Sequence, residues 1–273
     1  MSLTKDALQH IQDLALSAAA SPISVDGGAD VVALPESVKL ANLEQFKPRR
    51  DRFRGTLHTN SLADFIQYVG AEQSDSARGF INQDEMAAKV IFNLGSPADP
   101  GHGDDIAILT LKPTAAYSAV LAIAGRALDQ QTLAEWMEDW APHIQAMNGD
   151  EPLHLAQAIN GIRKMTLKAT SQRDSSVGNF SASRSAMDEI EAKSQEVLAS
   201  ALQFTAVPYE GLQSATILLR LSVLTGRDEP TLKLRWVGEE TQREGFAREF
   251  KDILVREVGE HVPMTLGTFQ LGK

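Results

Sequence analysis

The stretch ILLRLSVLTGRDEPTLKLRW, residues 217–236, decides the fold class. Ile217, Leu219, Leu221 and Val223 alternate with Arg220 and Ser222, and Leu232, Leu234 and Trp236 alternate with Lys233 and Arg235. Successive side chains of a strand point to opposite faces, so this spacing predicts two strands with one apolar face each. Gly226-Arg227-Asp228-Glu229-Pro230 between them is turn chemistry. The segment therefore reads as an antiparallel hairpin laid on a core. Directly after it, Thr241-x-x-Glu244 has the form of a capping box. It predicts the start of a helix with Phe246, Phe250, Ile253, Leu254 and Val258 on one side.

Working back toward the N-terminus, residues 167–193 are dense in Ser, Thr, Arg and Lys, with a turn at Ser175-Ser176-Val177-Gly178-Asn179. Two polar strands of a long hairpin, or a loop, account for that composition. Three helices precede it. One is expected over His154–Met165 and one over Thr114–Leu128. Between these, Asp129 is placed to cap a helix carrying Leu133, Trp136, Met137, Trp140 and Ile144 on one face. Further back, residues 86–94 and 105–112 read as another strand pair around the loop Gly95–Asp104, the second strand being apolar enough to be central. Phe53–His58 reads as a strand. Ser61-x-x-Asp64 caps a helix whose stripe is Leu62, Phe65, Ile66 and Val69. Residues 21–45 form a loop-rich lead-in with one short strand near Val31–Leu34. Leu3, Ala7, Ile11, Leu14 and Ala15 recur at helical spacing before it.

Strands alternating irregularly with helices and joined partly by hairpins give an α+β fold. Its sheets are mainly antiparallel, with amphipathic helices packed on them. The expected organisation is a lead-in over residues 1–50, an α/β lobe over 51–150 and a hairpin-rich lobe with a C-terminal helix over 151–273.

Composition narrows the function classes. The chain has 273 residues, 36 acidic against 26 basic, and a formal charge of -10. There is no cysteine, which removes disulfides, thiolate nucleophiles and Cys-ligated metals. No apolar run approaches the length of a membrane span, and Asp6, His10, Gln12 and Asp13 interrupt the N-terminal stretch where a secretory signal would be apolar. A soluble protein of the cytoplasm, without membrane association, is the expectation.

The catalytic templates fail in turn. No phosphate loop, no G-x-G-x-x-G, no G-x-S-x-G and no H-E-x-x-H occurs, and the six histidines are scattered. Glu135, Glu138 and Asp139 share a helix with Trp136 and Trp140, but helical spacing puts acids and tryptophans on opposite sides, as solvent face and core. Asp99, His102, Asp104 and Asp105 could offer ligands to Mg²⁺, Mn²⁺ or Ca²⁺. No further ligand is identifiable elsewhere, and the Pro, Gly and Asp of this loop suit a hairpin tip, which is the reading preferred. No catalytic residue and no cofactor is expected.

One local departure from the acidic balance stands out. Lys47, Arg49, Arg50, Arg52 and Arg54 fall within eight residues together with Phe53. Such a strip suits phosphate binding, but on an acidic protein the preferred reading is a solvated lead-in to the strand that starts near Phe53, paired with acidic residues elsewhere.

The order of features resembles a known family. Leu34-Pro35, Lys47-Pro48-Arg49-Arg50 leading to Gly55, and Ser61–Val69 are followed by Asp105–Leu111 with Pro113-Thr114, the Gln131–Ile144 helix, the Leu219–Trp236 hairpin and the Phe246–Glu257 helix. Together these are similar to an uncharacterised family of phage and prophage proteins typified by the YfdQ protein, from about Leu34 to His261. Many members have a tryptophan where this chain has Tyr117. The resemblance implies a phage-encoded accessory protein made in the bacterial host cytoplasm, and carries over no functional residue.

Two functions from different classes are compatible with these features. The first is a non-enzymatic, self-associating accessory protein, whose polar hairpin would pack on a neighbouring subunit through Arg173, Val177, Phe180 and Arg184. The second is a nucleic-acid-associated protein of phage replication or recombination that uses the Lys47–Arg54 strip, with Arg163, Lys164, Lys168 and Arg173 as auxiliary cations. A host protein bound by an acidic decoy would be a third kind of partner, supported by net charge and implied origin alone.

Overall fold

The two alternating segments, Ile217–Leu224 and Thr231–Trp236, lie side by side inside the largest of three sheets among the described residues. In a computed structural model, which describes residues 4–19, 23–25, 29–31, 44–165, 198–224 and 231–272, the chain forms two units, residues 1–53 and 54–273. The fold is α+β, with six α-helices among the described residues.

In the first unit, α1 (Lys5–Ala19) is the predicted amphipathic helix. Strands β1 (Ile23–Val25) and β2 (Ala29–Val31) form a small antiparallel pair where one strand was expected a few residues later. A 3₁₀ turn, Glu44–Phe46, precedes the basic strip.

The second unit holds a five-stranded and a six-stranded sheet. The smaller sheet is built from β3 (Gly55–Thr59), β4 (Arg78–Asn82), β5 (Ala87–Ile91), β6 (Asp105–Thr110) and β13 (Met264–Leu266), in the order β13-β4-β5-β6-β3. β4, β5 and β6 pair antiparallel, while β3 joins β6 and β13 joins β4 in parallel. β6 is an inner strand, as its apolar run predicts. Helix α2 (Leu62–Ala71) crosses from β3 to the next strand. The Ser61 hydroxyl caps it by accepting from the Asp64 amide at 3.2 Å, and Leu62, Phe65 and Val69 are buried on its inner face.

The larger sheet is wholly antiparallel. It runs β7 (Ala127–Leu128), β12 (Thr231–Trp236), β11 (Ala215–Leu224), β10 (Ala201–Ala206), β8 (Ile144–Asn148), β9 (Glu151–Leu153). β11 and β12 are registered Leu219 to Trp236 and Val223 to Leu232, so the two apolar faces coincide. Segments from either side of residue 150 share this sheet, and one continuous core of buried apolar side chains spans both sheets. Each Leu, Ile, Val or Phe so buried contributes about 1.5–3 kcal/mol.

Helices α3 (Ala115–Ile123), α4 (Gln130–Asp139), α5 (Leu155–Lys164) and α6 (Glu239–Glu257) complete the unit. Four sequence expectations are corrected by this arrangement. The helix expected to reach Leu128 ends at Ile123, because Gly125 turns left-handed (φ 76°) and its amide donates to Leu234 O at 2.7 Å, leading the chain into β7. Ile144 is not on α4. Pro142 cannot continue the helical ladder, so Ala141–His143 is a 3₁₀ turn and Ile144 opens β8. Between the helix expected to carry Ile144 and the one expected from His154, Asn148-Gly149-Asp150 makes a turn that joins two strands, β8 and β9. Finally, α6 starts at Glu239, two residues before Thr241, with Gly238 at φ 71° as its cap residue. The glutamates Glu239 and Glu240 in that first turn complement the positive helix end.

The polar hairpin expected over residues 167–193, and with it Lys168, Arg173, Val177, Phe180 and Arg184, lies outside the described residues. Among those described, no helix is long and apolar enough to cross a membrane.

Candidate functional site

The basic strip begins where the 3₁₀ turn closes. Glu44 folds the residues after that turn: its backbone carbonyl accepts from the Lys47 amide at 3.0 Å, and its Oε1 accepts from the Asp51 amide at 3.2 Å. The Lys47 ammonium donates to both carboxylate oxygens of Asp51 at 2.8 Å, tying position i to i+4. Pro48 lies inside that closed segment and fixes its own φ. The outcome is a curled loop whose residues Lys47, Pro48, Arg49, Arg50, Asp51, Arg52 and Phe53 line a shallow concavity of about 600 Å³.

The cations on this loop are not equivalent. Lys47 is engaged with Asp51, although the pair is solvent-exposed and worth little as a stability term. Arg49 and Arg50 are exposed and take no part in an ion pair among the described residues. Arg52 is half-buried and has a partner of its own. Arg54 belongs to the second unit, half-buried and also partnered, so the structure brings four of the five cations into one loop and leaves the fifth to the start of the sheet domain.

Sequence reasoning missed Phe46. Phe46 is 76% exposed and Phe53 is 67% exposed, so a large aromatic residue stands in water at each end of the strip. Neither phenylalanine is spent on a core. The available signal was adjacency, since Phe46 immediately precedes Lys47.

The other predicted residues are placed differently. The loop carrying Asp99, His102, Asp104 and Asp105 is closed by its own backbone. Ser96 and Asp99 exchange backbone hydrogen bonds at 2.9 and 3.1 Å, the Gly101 amide donates to Leu94 O at 2.8 Å, and a Cβ at Gly101 would lie 1.9 Å from Asn93 O. The Asn93 side-chain amide donates to Asp104 Oδ1 at 2.9 Å, and its Oδ1 accepts from the Asp105 amide at 3.1 Å. Asp105 has its pKa raised, first by burial and then by the Glu72 and Asp104 charges. Among the described residues no three His, Asp or Glu side chains are arranged to hold a metal ion.

Of the auxiliary cations, Arg163 donates to Glu138 Oε2 at 2.9 Å, linking α5 to α4, and Lys164 has a partner. Trp136 of α4 and Trp140, its C-cap, pack inward, as helical spacing indicates: Trp136 stacks on Phe204 with ring centroids 5.5 Å apart, and Trp140 lies 6.3 Å from the same ring. His143 stacks on Phe204 at 5.3 Å and bonds Thr205 O through Nδ1, so it is a wall of this aromatic cluster. Tyr117 is buried among Tyr209, Trp236 and Phe246, all edge-on, which gives the aromatic at that position a packing role. Burial pushes its phenol up to about 12.

Residues 4–269 match the family described as Uncharacterized conserved protein (DUF2303), and the chain belongs to that family. No curated protein and no solved structure matches it.

Proposed function

We propose that this member of the DUF2303 family is a non-enzymatic accessory protein of a phage or prophage, acting in the bacterial cytoplasm, that binds nucleic acid through the Lys47–Arg52 loop. The observation carrying this reading is the exposure of Arg49 and Arg50 on a curled loop with no carboxylate paired to either among the described residues. An acidic protein gains nothing in solubility from such a strip, and its guanidinium groups suit bidentate contact with phosphate. Support for the phage setting comes from the resemblance running from Leu34 to His261, and support for a non-catalytic role from the failure of the catalytic templates. Neutralising about three phosphates of a single strand would give a slope of log affinity against log salt of about -2. Fluorescence anisotropy with a labelled oligonucleotide measures it. The double variant Arg49→Glu/Arg50→Glu is expected to abolish binding, and unchanged affinity in that variant would overturn the reading.

Self-association is a second reading, favoured by α1. Leu8, Ile11 and Leu14 are 54%, 53% and 57% exposed on a 15-residue helix. Isolated helices of that length are marginal in water and draw most of their stability from packing an apolar face. With only Lys5, Asp6 and Asp13 charged, the helix has little to attract a charged partner, and a second copy supplies a matching apolar face. Light scattering should then give a multiple of 29.6 kDa that falls to the single-chain mass in Leu8→Ser/Ile11→Ser/Leu14→Ser. A wild-type monomer would sink this second reading.

A further inference from the structure

The nucleic-acid reading leaves open which form of nucleic acid the loop takes. We infer that the ligand is a single strand, with bases stacked on Phe46 and Phe53 while its phosphates follow Lys47, Arg49, Arg50 and Arg52. The inference rests on the reading of the loop as a phosphate-binding surface and adds two observations to it.

The first is the pair of open rings. Phe46 and Phe53 flank the cations directly and show water 76% and 67% of their surface. Large apolar side chains so exposed on both sides of a charged segment contribute nothing to folding, and each offers a π-face. Duplex bases are already stacked on their neighbours and cannot lie on such a ring without being flipped out. Unpaired bases can, and stacking of this kind tolerates any sequence because every base has a face. The same loop therefore meets both chemical halves of a single strand, its charge and its bases.

The second observation is the distribution of charge. Residues 47–53 hold four cations and one carboxylate, a net +3, within a chain of net -10, so the remaining residues carry -13. A duplex is stiff over a persistence length of about 150 base pairs and presents one charge per about 1.7 Å, so a stretch of it longer than the strip runs on past the cations of an acidic protein. A single strand has a lower charge density and bends within a few nucleotides. It can touch the strip and turn away. Preorganisation helps further: the Glu44 bonds to the Lys47 and Asp51 amides and the fixed φ of Pro48 curl the loop before any ligand arrives, which reduces the ordering cost of binding.

The test uses the full chain and four probes of matched length, about 12 units each: labelled oligothymidylate, labelled oligouridylate, a labelled duplex, and inorganic polyphosphate as an unlabelled competitor without bases. The expected result is binding of both single strands at least about tenfold tighter than the duplex, with polyphosphate a poor competitor. Phe46→Ala and Phe53→Ala should each weaken single-strand binding about tenfold while leaving the salt slope unchanged, since stacking releases no counterions. Phe46→Trp and Phe53→Trp should retain or improve affinity. Equal affinity for duplex and single strand, effective competition by polyphosphate, or alanine variants that bind like wild type would each overturn the single-strand inference while the phosphate-binding loop still stood. Binding that survives Arg49→Glu/Arg50→Glu would remove the loop reading itself, a distinguishable failure.

Discussion

Asp105 and Asp129 are two carboxylates whose surroundings drive them in opposite directions. Asp105 opens β6 half-buried, and lost hydration, then the charges of Glu72 and Asp104, raise its pKa above the ordinary 3.8. The Tyr68 phenol is raised in the same corner, by burial and by Asp105 and Glu72. A raised carboxylate pKa means that the folded chain keeps its proton to a higher pH than the unfolded chain does. The associated stability is complete below 3.8 and is lost as pH climbs through the raised value. Asp105→Asn should therefore raise Tm at neutral pH and lose that advantage below 3.8, as followed by circular dichroism; a lower Tm at neutral pH would contradict the assignment. Asp129 is the opposite case. Its carboxylate accepts from the Thr132 amide at 2.7 Å and the Thr132 hydroxyl at 2.8 Å, and these bonds lower its pKa. Its stabilisation is present above 3.8 and fades as pH falls through the lowered value. Asp129→Ala should cost about 1 kcal/mol, the usual cost of a lost N-cap, whereas Asp129→Asn should keep most of the cap and lose the acid dependence.

At the scale of elements, legibility followed periodicity. The Leu62-Phe65-Val69 stripe of α2, the Phe246-Phe250-Leu254 stripe of α6 and the alternation in β11 and β12 are long enough for their period to be read, and all three appear where expected. β7, β9 and β13 have two or three residues each, too few to show any period, and exist only because a neighbouring strand offers hydrogen bonds. β4 (RGFIN) was missed for a related reason, since Arg78 and Asn82 dilute a short apolar core. The site was legible as a run of cations but not as a surface, because whether Phe46 and Phe53 stand in water depends on how Glu44 curls the loop. The early end of α3 carries its own prediction. Gly125 sits at φ 76° with open space around its missing Cβ, so Gly125→Ala meets no clash and costs only the left-handed strain, about 1 kcal/mol. Chemical denaturation should show that loss with an unchanged m-value. A loss several times larger would mean that the β7–β12 pairing had failed with it.

For the molecule as a whole, the division at residue 53 puts the proposed binding loop and the sheets in different units. The loop from Lys47 to Phe53 lies in the first unit, while the continuous core cluster, among the described residues, begins at Leu57. That core includes Phe65, Phe204, Phe250, Leu109 and Met137, all fully buried, drawn from both sheets and from α2, α4 and α6. A unit of 220 residues with such a core is large enough to fold without staples. The first unit contributes a 15-residue helix with its apolar face open and a two-stranded pair, which is marginal alone in water. A chain beginning at residue 54 should therefore unfold cooperatively at close to the full-length Tm while losing all affinity for oligothymidylate. The two readouts are independent: calorimetry reports the core, and anisotropy reports the loop. Retained binding would move the nucleic-acid contact onto the sheets, and a non-cooperative melt would mean that residues 1–53 are needed to hold those sheets together.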